Sequence, residues 1–232
     1  MRRITFGGDD LANFVWSGPA AHMKIIFPEP GSVVVPPYSP DGPRPATMRT
    51  YTPRRFDAAA HTLDVDFVLH GHGPASTWAA QAEPGQELVM VGPARGYEID
   101  PDADWFVLAG DEAALPAIET LLEALPARTH ASVFLEVAAE GEIRALPGAN
   151  GADVRWLPRE TRAPGAGLLA ALAAFAWPSG NGRIYVGCEA EAMRRIRPVI
   201  ADAAGIERDR IVTRGYWRIG AVNHPDHDYV RD

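Results

Sequence analysis

The chain holds a single cysteine, Cys188. That excludes an internal disulfide and any zinc site built from cysteines alone, and it predicts a reducing, cytoplasmic setting. Lysine is as scarce: Lys24 is the only one, and every other formal cation is arginine. No run of about 18 apolar residues occurs, so no membrane span is expected. Met1 to Phe14 lack the apolar core of a secretory signal. Positive charge is in deficit, with a net charge of −8. This argues against nucleic acid as a partner, because phosphate binding needs a basic face. No internal repeat or low-complexity segment is present, and the polar tail Asn223–Asp232 is expected to be loosely ordered.

What is present is apolar side chains in two different rhythms. Of 232 residues 47% are hydrophobic, enough for one large core or two small ones. The first hundred residues read as short strands between Gly/Pro turns, at Arg3–Phe6, Met23–Phe27, Met48–Arg54, Thr62–Leu69 and Glu87–Val91. Leu63, Val65 and Phe67 alternate with Asp64 and Asp66, the period of a half-buried strand. Such a series predicts a small antiparallel barrel, with one helix from Pro74 to Ala82. After Pro101 strands alternate with helices, from the apolar Trp105–Ala109 strand to the closing Ile211–Trp217 strand. That alternation predicts a parallel sheet covered by helices on both faces. The expected domains are therefore residues 1–101 and 102–232.

Four segments carry chemistry. Arg49-Thr50-Tyr51-Thr52, before Pro53-Arg54, lies on a strand, so Arg49 and Tyr51 project to one face and Thr50 and Thr52 to the other. Together they offer a cation, a flat ring and hydroxyls, the groups that a flavin dinucleotide needs. An ordinary edge strand with polar decoration has the same pattern. His70-Gly71-His72-Gly73-Pro74-Ala75-Ser76-Thr77-Trp78 ends a strand and starts a helix. The N–H groups of that start, with Ser76 and Thr77 hydroxyls, suit a pyrophosphate. The histidines by themselves read as solvated loop residues, and no third ligand makes a metal site. Gly110-Asp111-Glu112 and Ala114-Leu115-Pro116 follow a strand where a parallel sheet binds dinucleotides, without a G-x-G-x-x-G fingerprint. Gly187-Cys188-Glu189 forms a second strand-to-helix turn.

In this order the segments resemble the siderophore-interacting protein family, a branch of the ferredoxin reductase superfamily. Asp66-Phe67-Val68-Leu69-His70 is similar to its pyrophosphate segment, Ala114-Leu115-Pro116-Ala117-Ile118 to its nicotinamide-domain signature, and Arg155-Trp156-Leu157-Pro158-Arg159 and Gly215-Tyr216-Trp217-Arg218 to its later segments. Ala113 stands where the family has threonine, and Gly187-Cys188 where it has Ala-Gly. The resemblance implies a six-stranded FAD-binding barrel, with a strand expected upstream of Arg3–Phe6, followed by a Rossmann-like NAD(P)H-binding domain.

The function that the resemblance implies is reduction of ferric iron in a siderophore. NADPH or NADH delivers a hydride to FAD, and reduced flavin passes single electrons to the metal, releasing Fe(II). Tyr51 and Thr52 are expected beside the chemistry. Arg49, Thr50, Asp66, Val68, His70, Gly73, Pro74, Ala75, Ser76 and Trp78 are expected to bind FAD. Gly110, Asp111, Glu112, Ala114, Glu189 and Trp217 are expected to bind the nucleotide. Lys24, Arg44 and Arg214 are the cations assigned to the ferric siderophore, and no resident metal is expected. Glu136 at a strand end favours NADH, whereas Arg144 nearby suits the 2′-phosphate of NADPH, so the donor stays open. Cys188 has two readings: a thiol activated by the following helix, or a buried apolar group. A soluble monomer is expected. The alternatives are an electron-transfer flavoprotein with a ferredoxin partner, or a flavin or siderophore carrier without activity.

Overall fold

In the computed structural model residues 1–149 and 151–224 are described, and the chain divides into two compact units, Met1–Glu98 and Ile99–Asp232. The tail from residue 225 onward lies outside the described residues.

The first unit contains six strands and one helix: β1 (Arg2–Gly7), β2 (His22–Ile26), β3 (Met48–Tyr51), β4 (Pro53–Asp57), β5 (Thr62–Phe67), α1 (Pro74–Gln81) and β6 (Val89–Ala94). They form two antiparallel three-stranded sheets, ordered β1-β5-β4 and β3-β2-β6. The strand expected over Met48–Arg54 is divided at Thr52. Before it β3 pairs with β2, and after it β4 pairs with β5. Pro53 lacks an N–H to continue the first ladder, and the register shifts between Pro53 and Arg55. Thr52 is thus a corner at which the chain passes from one sheet to the other, as barrel-like folds require. β5 stops at Phe67 rather than Leu69, and Leu69 is exposed. Leu63, Val65 and Phe67 point inward with Met23, Ile25 and Phe27, and α1 lays Trp78 and Ala79 on them. Burying side chains of this size contributes about 1.5–3 kcal/mol each before chain entropy is subtracted.

The second unit is a five-stranded parallel sheet with helices: β7 (Trp105–Gly110), α2 (Leu115–Ala124), β8 (His130–Val137), β9 (Asp153–Pro158), α3 (Ala166–Ala173), β10 (Gly182–Glu189), α4 (Ala190–Ala204) and β11 (Ile211–Trp217). The order is β11-β10-β7-β8-β9. Every residue of β7 is buried, because helices cover a parallel sheet on both faces. The chain winds outward from β7 through β9, then returns to add β10 on the other side. The carboxyl ends of β7 and β10 therefore flank the switch point where such sheets bind ligands. Gly110 and Gly187 are partners there. A Cβ on Gly110 would lie 2.6 Å from the Gly187 carbonyl and 2.7 Å from Ala114 Cβ, so the approach admits only glycine. No helix among the described residues is long and apolar enough to cross a membrane.

Candidate functional site

In the first unit the corner strand carries Arg49, Thr50, Tyr51 and Thr52. Arg49 Nη1 donates to the carbonyls of Ala46 at 2.7 Å and Met48 at 2.9 Å. Its Nε and Nη2 have no hydrogen-bond partner among the described residues. The half-buried Tyr51 ring rests against Phe67 at 4.6 Å and Phe27 at 6.0 Å. Burial pushes its phenol well above the ordinary range, so the hydroxyl stays neutral. Thr50 faces Lys24 across the β2–β3 ladder and accepts a hydrogen bond from its ammonium. Lys24 is thereby drawn onto the strand rather than extended to solvent. Arg44 is exposed in the irregular segment before β3.

The His70–Gly73 turn, expected to hold the pyrophosphate, is fastened from inside. Ser76 Oγ accepts from His70 N–H at 2.9 Å and Gly71 N–H at 3.2 Å. The Ser76 oxygen therefore fastens the turn, and only its hydroxyl proton remains to donate. Gly73, at φ 77°, opens α1 without a capping side chain, Pro74 takes the first helical position, and no acidic residue occupies the first turn. His70 packs against His72 with ring centroids 4.3 Å apart. Partial burial, then His72, pull His70 below its ordinary range, so it contributes little charge near neutral pH. An uncapped helix start and a guanidinium with spare donors suit the phosphates of FAD, and the Tyr51 ring suits its flat end. Three other residues expected to bind FAD are engaged internally: Asp66 accepts both Arg3 Nε at 2.7 Å and Nη2 at 2.8 Å, Trp78 stacks on Phe6 in the core, and Ala75 is buried. Val68 is half-buried just past β5.

In the second unit one carboxylate joins three strand ends. Asp111, just past β7, accepts from Ala113 N–H at 3.0 Å, from Glu189 N–H at 2.9 Å and from Trp217 Nε1 at 2.8 Å. Burial pushes this carboxyl up to about 7, against the Trp217 hydrogen bond, which favours the charged form. Glu189 ends β10 and caps α4, its Oε2 accepting from Ala192 N–H at 2.8 Å and its Oε1 from Ile219 N–H at 3.3 Å. Glu112 pairs with Arg159 at 3.1 Å. Ala114 is buried against Gly110 and Gly187. Arg214 is half-buried on β11. A cleft of about 370 Å³ opens beside Glu189, walled by Ala163, Pro164, Arg195, Arg218 and Ile219.

The two residues weighed for choice of donor are both engaged internally. Glu136 has no exposed surface; it accepts from Gly165 N–H at 2.6 Å, Gly167 N–H at 3.0 Å and Arg159 at 3.4 Å. Arg144 is spent on the buried Glu119 at 2.7 Å. Glu136 presents no free oxygen to a ribose, and Arg144 is partly exposed but tied to Glu119. The activated reading of Cys188 also fails. The thiol is fully buried, and burial, with Asp111, Glu136 and Glu189 nearby, pushes it well above its ordinary range. A helix dipole cannot offset three carboxylates around a desolvated thiol. Sequence reasoning gave Arg159, Arg195 and Arg218 no role. Arg159 and Arg218 directly follow strands, and that position was the available signal.

Comparison with known proteins matches residues 1–97 to the family model "Siderophore-interacting FAD-binding domain" and residues 103–220 to the family model "Siderophore-interacting protein". The ferric vibriobactin reductase ViuB of Vibrio cholerae is 30% identical over 243 residues, 98% of this chain and 88% of that protein. An NADPH-dependent ferric-chelate reductase of Escherichia coli is 32% identical over 231 residues, 94% of this chain and 87% of that protein. The crystal structure of a siderophore utilization protein from T. fusca superposes with a TM-score of 0.87 at 38% identity, covering 97% of this chain and 89% of that one.

Proposed function

This chain belongs to the siderophore-interacting protein family, and from that premise we propose that it is an FAD-dependent ferric-siderophore reductase that passes electrons from NADPH through FAD to siderophore-bound Fe(III), releasing Fe(II). The observation that carries this reading is the fall of one family match on each compact unit, with the Arg49–Thr52 corner and the uncapped Gly73 turn inside the first. NADPH is assigned as donor from the name of the Escherichia coli relative.

When bound, FAD supplies the conversion from a two-electron donor to a one-electron acceptor. The protein's part is to hold and orient. Arg49 and the Gly73–Ser76 turn hold the pyrophosphate, and His70, fastened to Ser76, shapes that turn. Tyr51 and Thr52 border the flat end. Thr50, tied to Lys24, keeps the strand face in place, and Asp66, fixed by Arg3, keeps β1 on β5. In the second unit, assigned to the nucleotide, Gly110 and Ala114 permit close packing at the switch point. Asp111 holds Trp217 and Glu189 as its walls, and Glu112 steadies Arg159. Of the first unit's cations assigned to the anionic ferric siderophore, Arg44 is exposed, whereas Lys24 is drawn onto Thr50. Hard oxygen donors grip Fe(III) more tightly than Fe(II), so reduction loosens the metal.

The test is anaerobic spectroscopy of the purified protein. A bound-flavin spectrum should bleach on NADPH and recover on adding a ferric tris-catecholate siderophore, while a ferrous-specific chelator reports Fe(II). Bleaching by reduced ferredoxin but by neither NADPH nor NADH would overturn the donor. Recovery without Fe(II) would overturn the acceptor.

A further inference from the structure

At the carboxyl ends of β7, β8 and β10 buried carboxylates take up nearby backbone donors that could otherwise meet an anion. Asp111 accepts from Ala113 N–H in the turn before α2. Glu136 accepts from Gly165 and Gly167 N–H where α3 starts. Glu189 accepts from Ala192 N–H in the first turn of α4. The three residues are 1%, 0% and 2% exposed, so these are internal bonds that solvent does not loosen. A helix start attracts an anion because its first N–H groups are unpaired and its dipole is positive there. At α3 and α4 a buried carboxylate takes a first-turn donor, offsets the dipole, and repels a second anion, whereas α2 starts without a capping side chain.

Beside Glu189, guanidinium side chains are the available donors. In the cleft of about 370 Å³ beside Glu189 the acids are committed. Both Glu189 oxygens face backbone N–H groups, and Glu191 pairs with Arg194 at 3.1 Å. The arginines are not so committed. Arg195 reaches only the Pro164 carbonyl, at 3.5 Å, the outer limit of a hydrogen bond. Arg218 is exposed and has no side-chain partner among the described residues. A cavity of this size accommodates part of a nucleotide, and two arginine forks match phosphate oxygens bidentately.

We infer that this cleft is a phosphate subsite for the nicotinamide dinucleotide, in which Arg195 and Arg218 meet the anion beside the Glu189-capped start of α4. The inference rests on reading the second unit as the nucleotide-binding one. A phosphate entering the cleft displaces one weak carbonyl contact of Arg195 and no internal partner of Arg218, so the site is poised for an outside anion.

The experiment is calorimetric titration of the FAD-loaded full chain with NADP⁺ and with NAD⁺. Arg195→Gln and Arg218→Gln should each weaken binding by about tenfold, the loss of one charge-assisted contact. The doubly substituted protein should lose more, and added salt should weaken the parent more steeply than the variants. The flavin spectrum and the thermal midpoint should not move, since both side chains are exposed. Arg→Lys at either position should recover only part of the affinity, because lysine lacks the fork. A loss confined to NADP⁺ identifies the 2′-phosphate as occupant, and an equal loss for both nucleotides identifies the pyrophosphate. Variants that bind both nucleotides like the parent overturn the subsite while leaving the reductase reading intact. A parent that binds neither nucleotide overturns the donor assigned above, and the subsite with it.

Discussion

Two helices of the second unit, α3 and α4, start differently from α1 of the first. In the first, α1 opens at Gly73 with no capping side chain and no acid in its first turn. In the second, α2 likewise opens without a capping side chain, but buried carboxylates of Glu136 and Glu189 accept from first-turn N–H groups of α3 and α4. The local device is the same in both units: a strand, a turn and a helix whose first N–H groups need acceptors. Leaving that end open makes an anion site out of the backbone itself. Closing it with a carboxylate satisfies the donors, and anion recognition then falls to side chains such as those proposed for Arg195 and Arg218. Strand-turn-helix topology therefore locates a binding edge, but the acids beside it decide which groups bind.

The sharpest way to break the comparison is Glu136→Ala. The change strands two buried N–H groups and removes one of two carboxylates from Arg159. Stability should fall by about 3 kcal/mol, read by chemical denaturation, with flavin affinity preserved. A loss below about 1 kcal/mol would mean that water replaces the carboxylate and that the closed end is not structural.

The open end is probed next by Arg49→Ala. If the first unit holds FAD through external phosphate contacts, the FAD dissociation constant should rise by about tenfold to a hundredfold, measured by fluorescence on refilling the apoprotein. Titration with NADP⁺ should give the parent's value. Undiminished FAD affinity would remove Arg49 from the site.

Counted per pH unit, the smallest effect concerns Asp111. Its ordinary value of 3.8 applies to the unfolded chain, and about 7 to the folded one. Between these values the folded protein keeps a proton that the unfolded chain has lost, so raising the pH favours unfolding. Stability of the parent should decline by up to ~1.4 kcal/mol per pH unit through that window and level off above it. Asp111→Asn, which does not titrate, should lack this slope. Parallel stability–pH curves for the two proteins would show that Asp111 is already ionised throughout.

Much of the fold is legible because hydrophobic period is a local property. Alternation at Leu63, Val65 and Phe67 marks a half-buried strand, and the unbroken apolar run from Trp105 marks a strand buried on both sides. The corner at Thr52 is not legible in this way. Met48–Arg54 is one extended stretch in sequence, and only the choice of β2 as partner before Thr52 and β5 after it divides the stretch into two strands. The same holds for Ser76, whose hydroxyl reads as a ligand donor until its two backbone partners are seen.

The sequence by itself determined the residue types and their order: Arg49 to Thr52 on a strand, glycines before helices, Glu136 and Glu189 at strand ends, one cysteine. Those follow from period and spacing, which act over a few residues. Only the tertiary structure decided what the acids do. Asp111 takes donors from residues 78 and 106 positions away, and Glu136 from positions 29 and 31 away. Whether a carboxylate at a strand end meets a ribose or a helix start depends on which backbone N–H groups packing brings within 3 Å. That is set by the sheet order β11-β10-β7-β8-β9 and by the close approach at Gly110 and Gly187, and no local pattern encodes it.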